Sequence, residues 1–102
     1  MRIVQVVSKP ECDNFLSLVK KKKRELRQRK RGTFYHVKPN RWKHVSYSGY
    51  IDFHKAHKNI SIFEIKTRAS DGNDWQLLHS FLGFLDRHFH DTMESVTILY
   101  RD

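Results

Sequence analysis

The sequence predicts an α+β domain in the order β-α-β-β-β-α-β, with an antiparallel-rich sheet and two helices packed on it. Three observations carry that expectation. Apolar residues recur at helical spacing in two separated stretches. Residues 44–54 and 60–67 alternate apolar and polar side chains, and compact β-branched runs stand near both ends of the chain. At 102 residues the chain is expected to form one domain over 1–102, since a second core would have too little chain to bury. A hydrophobic fraction of 38% and an aromatic fraction of 13% suffice for a packed core.

The elements follow in order. Residues 2–7, "RIVQVV", read as a strand. Ser8 stands three residues before Glu11, the spacing of a capping box, and Pro10 suits a first helical turn. Phe15, Leu18, Val19 and Leu26 then continue at helical spacing as far as Gly32, a natural stop. That predicts a helix of about 20 residues, apolar on one side early and basic late. "TFYHVKP", 33–39, reads as a short strand ended by Pro39. In 44–54, Val45, Tyr47, Ile51 and Phe53 share one face, and Ser46, Ser48, Tyr50, Asp52 and His54 the other. "KAHKN" is expected to turn the chain into its partner strand, 60–67, where Phe63 and Ile65 oppose Ile60, Ile62, Glu64 and Lys66. "SDGND" is a loop from which Asn73 or Asp74 can cap a second helix with the stripe Leu77, Leu78, Phe81, Leu82, Leu85 and Phe89. "SVTILY", 95–100, is the closing strand.

Charge narrows the function. The net charge is +9, and residues 20–31, "KKKKRELRQRKR", hold nine Lys/Arg and one Glu, or +8 of it. A nearly neutral domain thus carries one concentrated basic block. Lys20, Lys21, Lys22, Lys23, Arg24, Arg27, Arg29, Lys30 and Arg31 are candidate phosphate contacts, because neutralising a polyanion releases its condensed counterions. The expected partner is nucleic acid, DNA or RNA. Arg41 and Trp42, close after Pro39, extend the candidate surface, with Trp42 as an exposed ring for base stacking and Tyr35 as ordinary core. No run is long and apolar enough for a membrane span, and the N-terminus lacks the pattern of a secretion signal, so a cytoplasmic location is the default expectation. The four glycines are isolated, which leaves no phosphate-cradling loop and no expected nucleotide cofactor. One of them, Gly83, inside the second helix, is expected to permit close packing. A single cysteine, Cys12, excludes an internal disulfide, and the seven histidines lack ligand spacing.

Two readings stand for the alternating strands. If Ile51, Phe53, Phe63 and Ile65 face the helices, then Asp52, Glu64 and Lys66 emerge together on the opposite face. Two carboxylates can hold Mg²⁺, which activates water and offsets charge on a phosphoryl group, while a lysine steadies the same charge. Asp52, eleven residues, then Glu64-x-Lys66 resembles the core signature of the PD-(D/E)xK nuclease superfamily, as does the element order from residue 10 to 100. That resemblance implies metal ligation by Asp52 and Glu64, catalysis by Lys66, Mg²⁺ as cofactor, phosphodiester cleavage, and an accessory acidic role for Glu25. The other reading is a solvated sheet face, on which cross-strand charges are ordinary. Under it the protein is a non-catalytic, ferredoxin-like nucleic-acid-binding module, or a homodimeric assembly module pairing through the face that carries Ile60 and Ile62 or through a sheet edge.

Overall fold

The computed structural model describes residues 1–30, 32–67 and 74–101. It is α+β, with six strands and two helices among them. In chain order these are β1 (Arg2–Ser8), α1 (Phe15–Gln28), β2 (Phe34–Lys38), β3 (Arg41–His44), β4 (Tyr50–His57), β5 (Ile60–Lys66), α2 (Asp74–Phe89) and β6 (Met93–Tyr100). The sheet order is β2-β3-β4-β5-β1-β6, antiparallel at every pairing. The block β6-β1-β5-β4 is the split βαβ, ferredoxin-like arrangement. The hairpin β2–β3 extends it on one side and makes β2 an edge strand.

Three local expectations are corrected. Ser8 does not cap a helix: it ends β1 and is buried, and its hydroxyl donates to the Cys12 carbonyl at 2.7 Å. The helix starts only at Phe15, with Asn14 at the cap making no side-chain bond. At the other end the chain leaves α1 through Lys30, whose φ of 58° does the work expected of Gly32. The stretch 44–54 is not one strand. It holds the end of β3, a connection over 45–49, and the start of β4, so Val45 is exposed rather than core. Gly49 makes this reversal possible: its φ is +98°, and a Cβ there would lie 2.4 Å from the Lys66 carbonyl oxygen. The expected capping by Asn73 or the Asp74 side chain lies outside the described residues.

Both helices cover one face of the sheet. Val4 and Val6, Trp42, Ile51 and Phe53, and Phe63 and Ile65 point into one continuous core with Phe15 and Val19 of α1 and the apolar stripe of α2. Phe15 meets Phe89 edge-on at 5.4 Å, which ties the two helices together. The β4–β5 turn is tighter than expected, at residues 58–59, and Asn59 fastens it to β1 by donating to the Ser8 carbonyl at 2.9 Å. The other sheet face carries the opposite parity: Ile3 and Val7, Ile60 and Ile62, and the charges discussed next.

Candidate functional site

Asp52, Glu64 and Lys66 do converge. Asp52 and Glu64 are direct partners across the β4–β5 hairpin, and Tyr50 pairs with Lys66 one step along the same face. The Lys66 ammonium donates to Asp52 Oδ2 at 3.2 Å and lies 3.5 Å from Glu64 Oε2. A fourth member comes from β3, where Arg41 pairs with Asp52. Its guanidinium grips both carboxylate oxygens, Nε to Oδ1 at 2.6 Å and Nη2 to Oδ2 at 3.0 Å, and sits 3.9 Å over the Tyr50 ring. The Arg41 hydrogen bond, helped by Lys66, holds the Asp52 carboxyl below its usual range, and the same bonds raise Arg41 and Lys66.

Formally two positive and two negative charges cancel in this cluster. The chain's own cations already occupy the acceptor positions that a Mg²⁺ ion would need on Asp52. Among the described residues no group of three His, Cys, Asp or Glu side chains gathers to hold a metal. Glu25 lies in α1 and contacts Lys22 at 3.7 Å. As it stands the donor set fits a resident divalent ion poorly, and the cluster is a closed ion-pair network.

The basic block is arranged differently. The α1 flank lies along β2 at the sheet edge. Lys20 reaches Asn40 Oδ1 at 3.3 Å and sits over the Phe53 ring at 5.2 Å. Lys23 is buried, with its ammonium against His36 Nδ1, and Arg27 lies 5.9 Å over the Tyr35 ring. Burial lowers the His36 pKa, and Lys23, Lys20 and Arg24 lower it further. Lys21, Arg24, Arg27, Arg29 and Lys30 are exposed, and Lys38 is exposed at the end of β2. Arg31 lies outside the described residues. The surface is therefore a run of cations along one helix and one strand edge, with Lys23 as its buried anchor.

One member of the expected surface is reassigned. Trp42 is fully buried, packed 5.2 Å from Phe53 and 6.0 Å from both Phe34 and Phe84, so it offers no platform for a base. Strand alternation explains this: Arg41 takes the open face, so Trp42 must take the helix face. Arg41, for its part, places its guanidinium on the Asp52 carboxylate. Tyr35 moves the other way, to a half-buried place at the sheet edge beside Arg27. Gly83 is not a close-packing point, since among the described residues a Cβ there would meet only the Arg87 side chain, at 3.9 Å.

One group of side chains had no signal in the sequence. Lys23 of α1, His44 of β3, and Arg87 and His88 of α2 line a single cavity of about 370 Å³ behind the start of β2. They come from three elements at unrelated spacings, so no motif announces them. Among the described residues no helix is long and apolar enough to cross a membrane. Compared with protein families, curated proteins and solved structures, the chain matches none of them.

Proposed function

We propose that this chain is a small non-catalytic nucleic-acid-binding domain that grips the phosphate backbone with the α1 flank and the β2 edge. The observation that carries the reading is the concentration of cations along the α1 flank beside β2: the Lys23 ammonium stands against His36 Nδ1, Lys20 reaches Asn40 Oδ1 at 3.3 Å, and Arg27 lies 5.9 Å over the Tyr35 ring. Isolated solubilising lysines would sit apart, each in its own water. Cations held together along an edge repel one another, and a polyanion relieves that repulsion while releasing its counterions. The grip reads backbone charge and carries no sequence information of its own.

The test is binding of a short labelled single strand and a short duplex across a salt series. The wild type should show a steep fall of affinity with salt. Combined Lys21→Ala, Arg24→Ala and Arg27→Ala, all at exposed positions, should reduce the slope of log K against log salt by about 2 to 3. Binding with the wild-type slope in the triple variant would sink the proposal.

The convergence of Asp52, Glu64 and Lys66 favours a second reading, metal-assisted phosphodiester cleavage, in which that cluster acts on the bound strand. The obstacle is Arg41, whose guanidinium would have to leave Asp52. Titrating Mn²⁺ into labelled protein decides it by paramagnetic broadening. Signals from Asp52 and residues 63–67 should stay sharp in the wild type if the cluster is purely structural. Broadening centred there and reversed by Mg²⁺ would replace the binding-only reading.

A further inference from the structure

The cavity behind β2 has an unusual balance of charge. Its polar lining is Lys23, Thr33, His44, Ser80, Arg87 and His88, and no carboxylate lines it among the described residues. Protein pockets that merely fail to close are commonly apolar or hold a compensating acid beside a buried cation. Here Lys23 is only 7% exposed, and its recorded contact is with His36, a group itself disfavoured from taking a proton. Burial, then Arg27 and Arg24, push the Lys23 ammonium down. Burial, then Lys22 and Arg87, do the same to His88. The two formal cations of the lining, Lys23 and Arg87, have no carboxylate beside them in it among the described residues, and the downward shifts of Lys23, His44 and His88 have the sign that an anion would reverse.

The rest of the lining is Gly32 with the apolar Leu26, Phe34 and Phe84. Phe34 and Phe84 pack edge-to-face at 5.6 Å and contribute to it together with Leu26. His44 is stacked on Tyr47 at 4.6 Å and accepts the Ser46 backbone N–H at Nδ1, which leaves Nε2 as its donor nitrogen. The volume stands at the low end of small-molecule sites. From this juxtaposition we propose that the cavity between α1, the start of β2 and α2 is a binding site for a nucleoside monophosphate, with phosphate on Arg87 and Lys23 and the base against the aromatic wall.

The nucleotide has two possible sources, a free monophosphate or the phosphorylated end of a strand. A neighbouring depression shares Gly32 with the cavity and is lined by Arg27 and Lys30, so a chain of phosphates leaving the cavity would meet the basic end of α1. In its strand-end form the inference rests on the proposed grip of nucleic acid; in its free form it does not.

The experiment is a nitrogen- and carbon-detected NMR titration of the full chain with adenosine 5′-monophosphate, adenosine and inorganic phosphate. A second arm compares binding of one oligonucleotide with and without a 5′-phosphate. The monophosphate should shift signals of Phe34, His44, Phe84 and His88, and adenosine and phosphate alone should bind at least about tenfold more weakly. Arg87→Ala, at an exposed position, should weaken the monophosphate by about tenfold or more. Ser80→Leu should block the cavity while every cation remains. A preference for the 5′-phosphorylated strand that vanishes in Arg87→Ala identifies the strand end as the source; monophosphate binding without that preference identifies the free nucleotide. Absence of shifts at the cavity, or affinities unchanged by both variants, overturns the proposal. Equal binding of the two strands with no cavity shifts would overturn it and leave the backbone grip standing. Monophosphate binding with no strand binding would do the opposite.

Discussion

At the residue scale, Trp42 shows how one side chain can be both indispensable and imperfectly placed. It is the largest fully buried residue, ringed by Phe34, Phe53, Phe81 and Phe84, yet its indole N–H is buried without an acceptor among the described residues. An unpaired buried donor costs about 1–3 kcal/mol, whereas emptying a site of this size costs about 3–5 kcal/mol. The two effects separate in a pair of substitutions. Trp42→Ala should destabilise by the full cavity cost. Trp42→Phe loses volume but also removes the orphaned donor, so its cost should stay below about 1.5 kcal/mol. Chemical denaturation of the two variants checks this, and similar losses in both would mean that the indole N–H does find a partner. The sequence hid this role because a tryptophan flanked by Arg41 and Lys43 looks like a surface residue until its partner strand is known. Asp52, Glu64 and Lys66 were readable for the converse reason. Alternation places all three on one face, and the short turn pairs Asp52 with Glu64, whereas Arg41 joined only through the β3–β4 pairing.

At the element scale, α2 and the β3–β4 connection use glycine in opposite ways. Gly83 sits within a 16-residue helix, and a Cβ there would find open space apart from the flexible Arg87 tip. Gly83→Ala should therefore stabilise the protein by about 0.5–1 kcal/mol, the ordinary helical advantage of alanine. Gly49 combines a φ of +98° with a Cβ position 2.7 Å from Thr67 Cγ2 and closer still to backbone. Gly49→Ala should destabilise, since backbone cannot yield as a side-chain tip can. Thermal melts of the two variants should move in opposite directions, and a shift of the same sign in both would refute the account. The strands of the central hairpin were visible in the sequence because burial of one face imposes a period of two. The shortness of β3 was not, because four residues hold too few alternations to show a period. The start of α1 was also missed: the Ser8 hydroxyl is turned to the carbonyls of Cys12 and Asn59, so the Ser8–Glu11 spacing of a capping box stands in the sequence without forming the cap.

At the scale of the whole molecule, the concentration of positive charge couples folding to binding through pH. His36, His44 and His88 all have pKa values lowered in the fold: His36 by burial and by Lys23, Lys20 and Arg24, His44 by burial, and His88 by burial and by Lys22 and Arg87. In the unfolded chain each returns to about 6.5. The unfolded state therefore takes up these protons first as the pH falls. Stability from the neutral rings is fully present above about pH 6.5 and is lost as the pH drops through the lower folded values. Asp52, also lowered, keeps its pairing across this window and loses it only below the ordinary carboxylate range near 4. Binding of an anion runs the other way, because protonated His36 beside the α1 flank and protonated His44 and His88 in the cavity add to the attraction. Between about pH 7.5 and 5.5 the unfolding free energy should thus decline while affinity for a polyanion rises. Urea unfolding and fluorescence anisotropy at matched ionic strength measure the two slopes, and combined His36→Gln, His44→Gln and His88→Gln should flatten both. Stability that rises on acidification across this window would contradict the electrostatics of the α1 flank. An affinity with no pH dependence would place the bound anion away from these three rings.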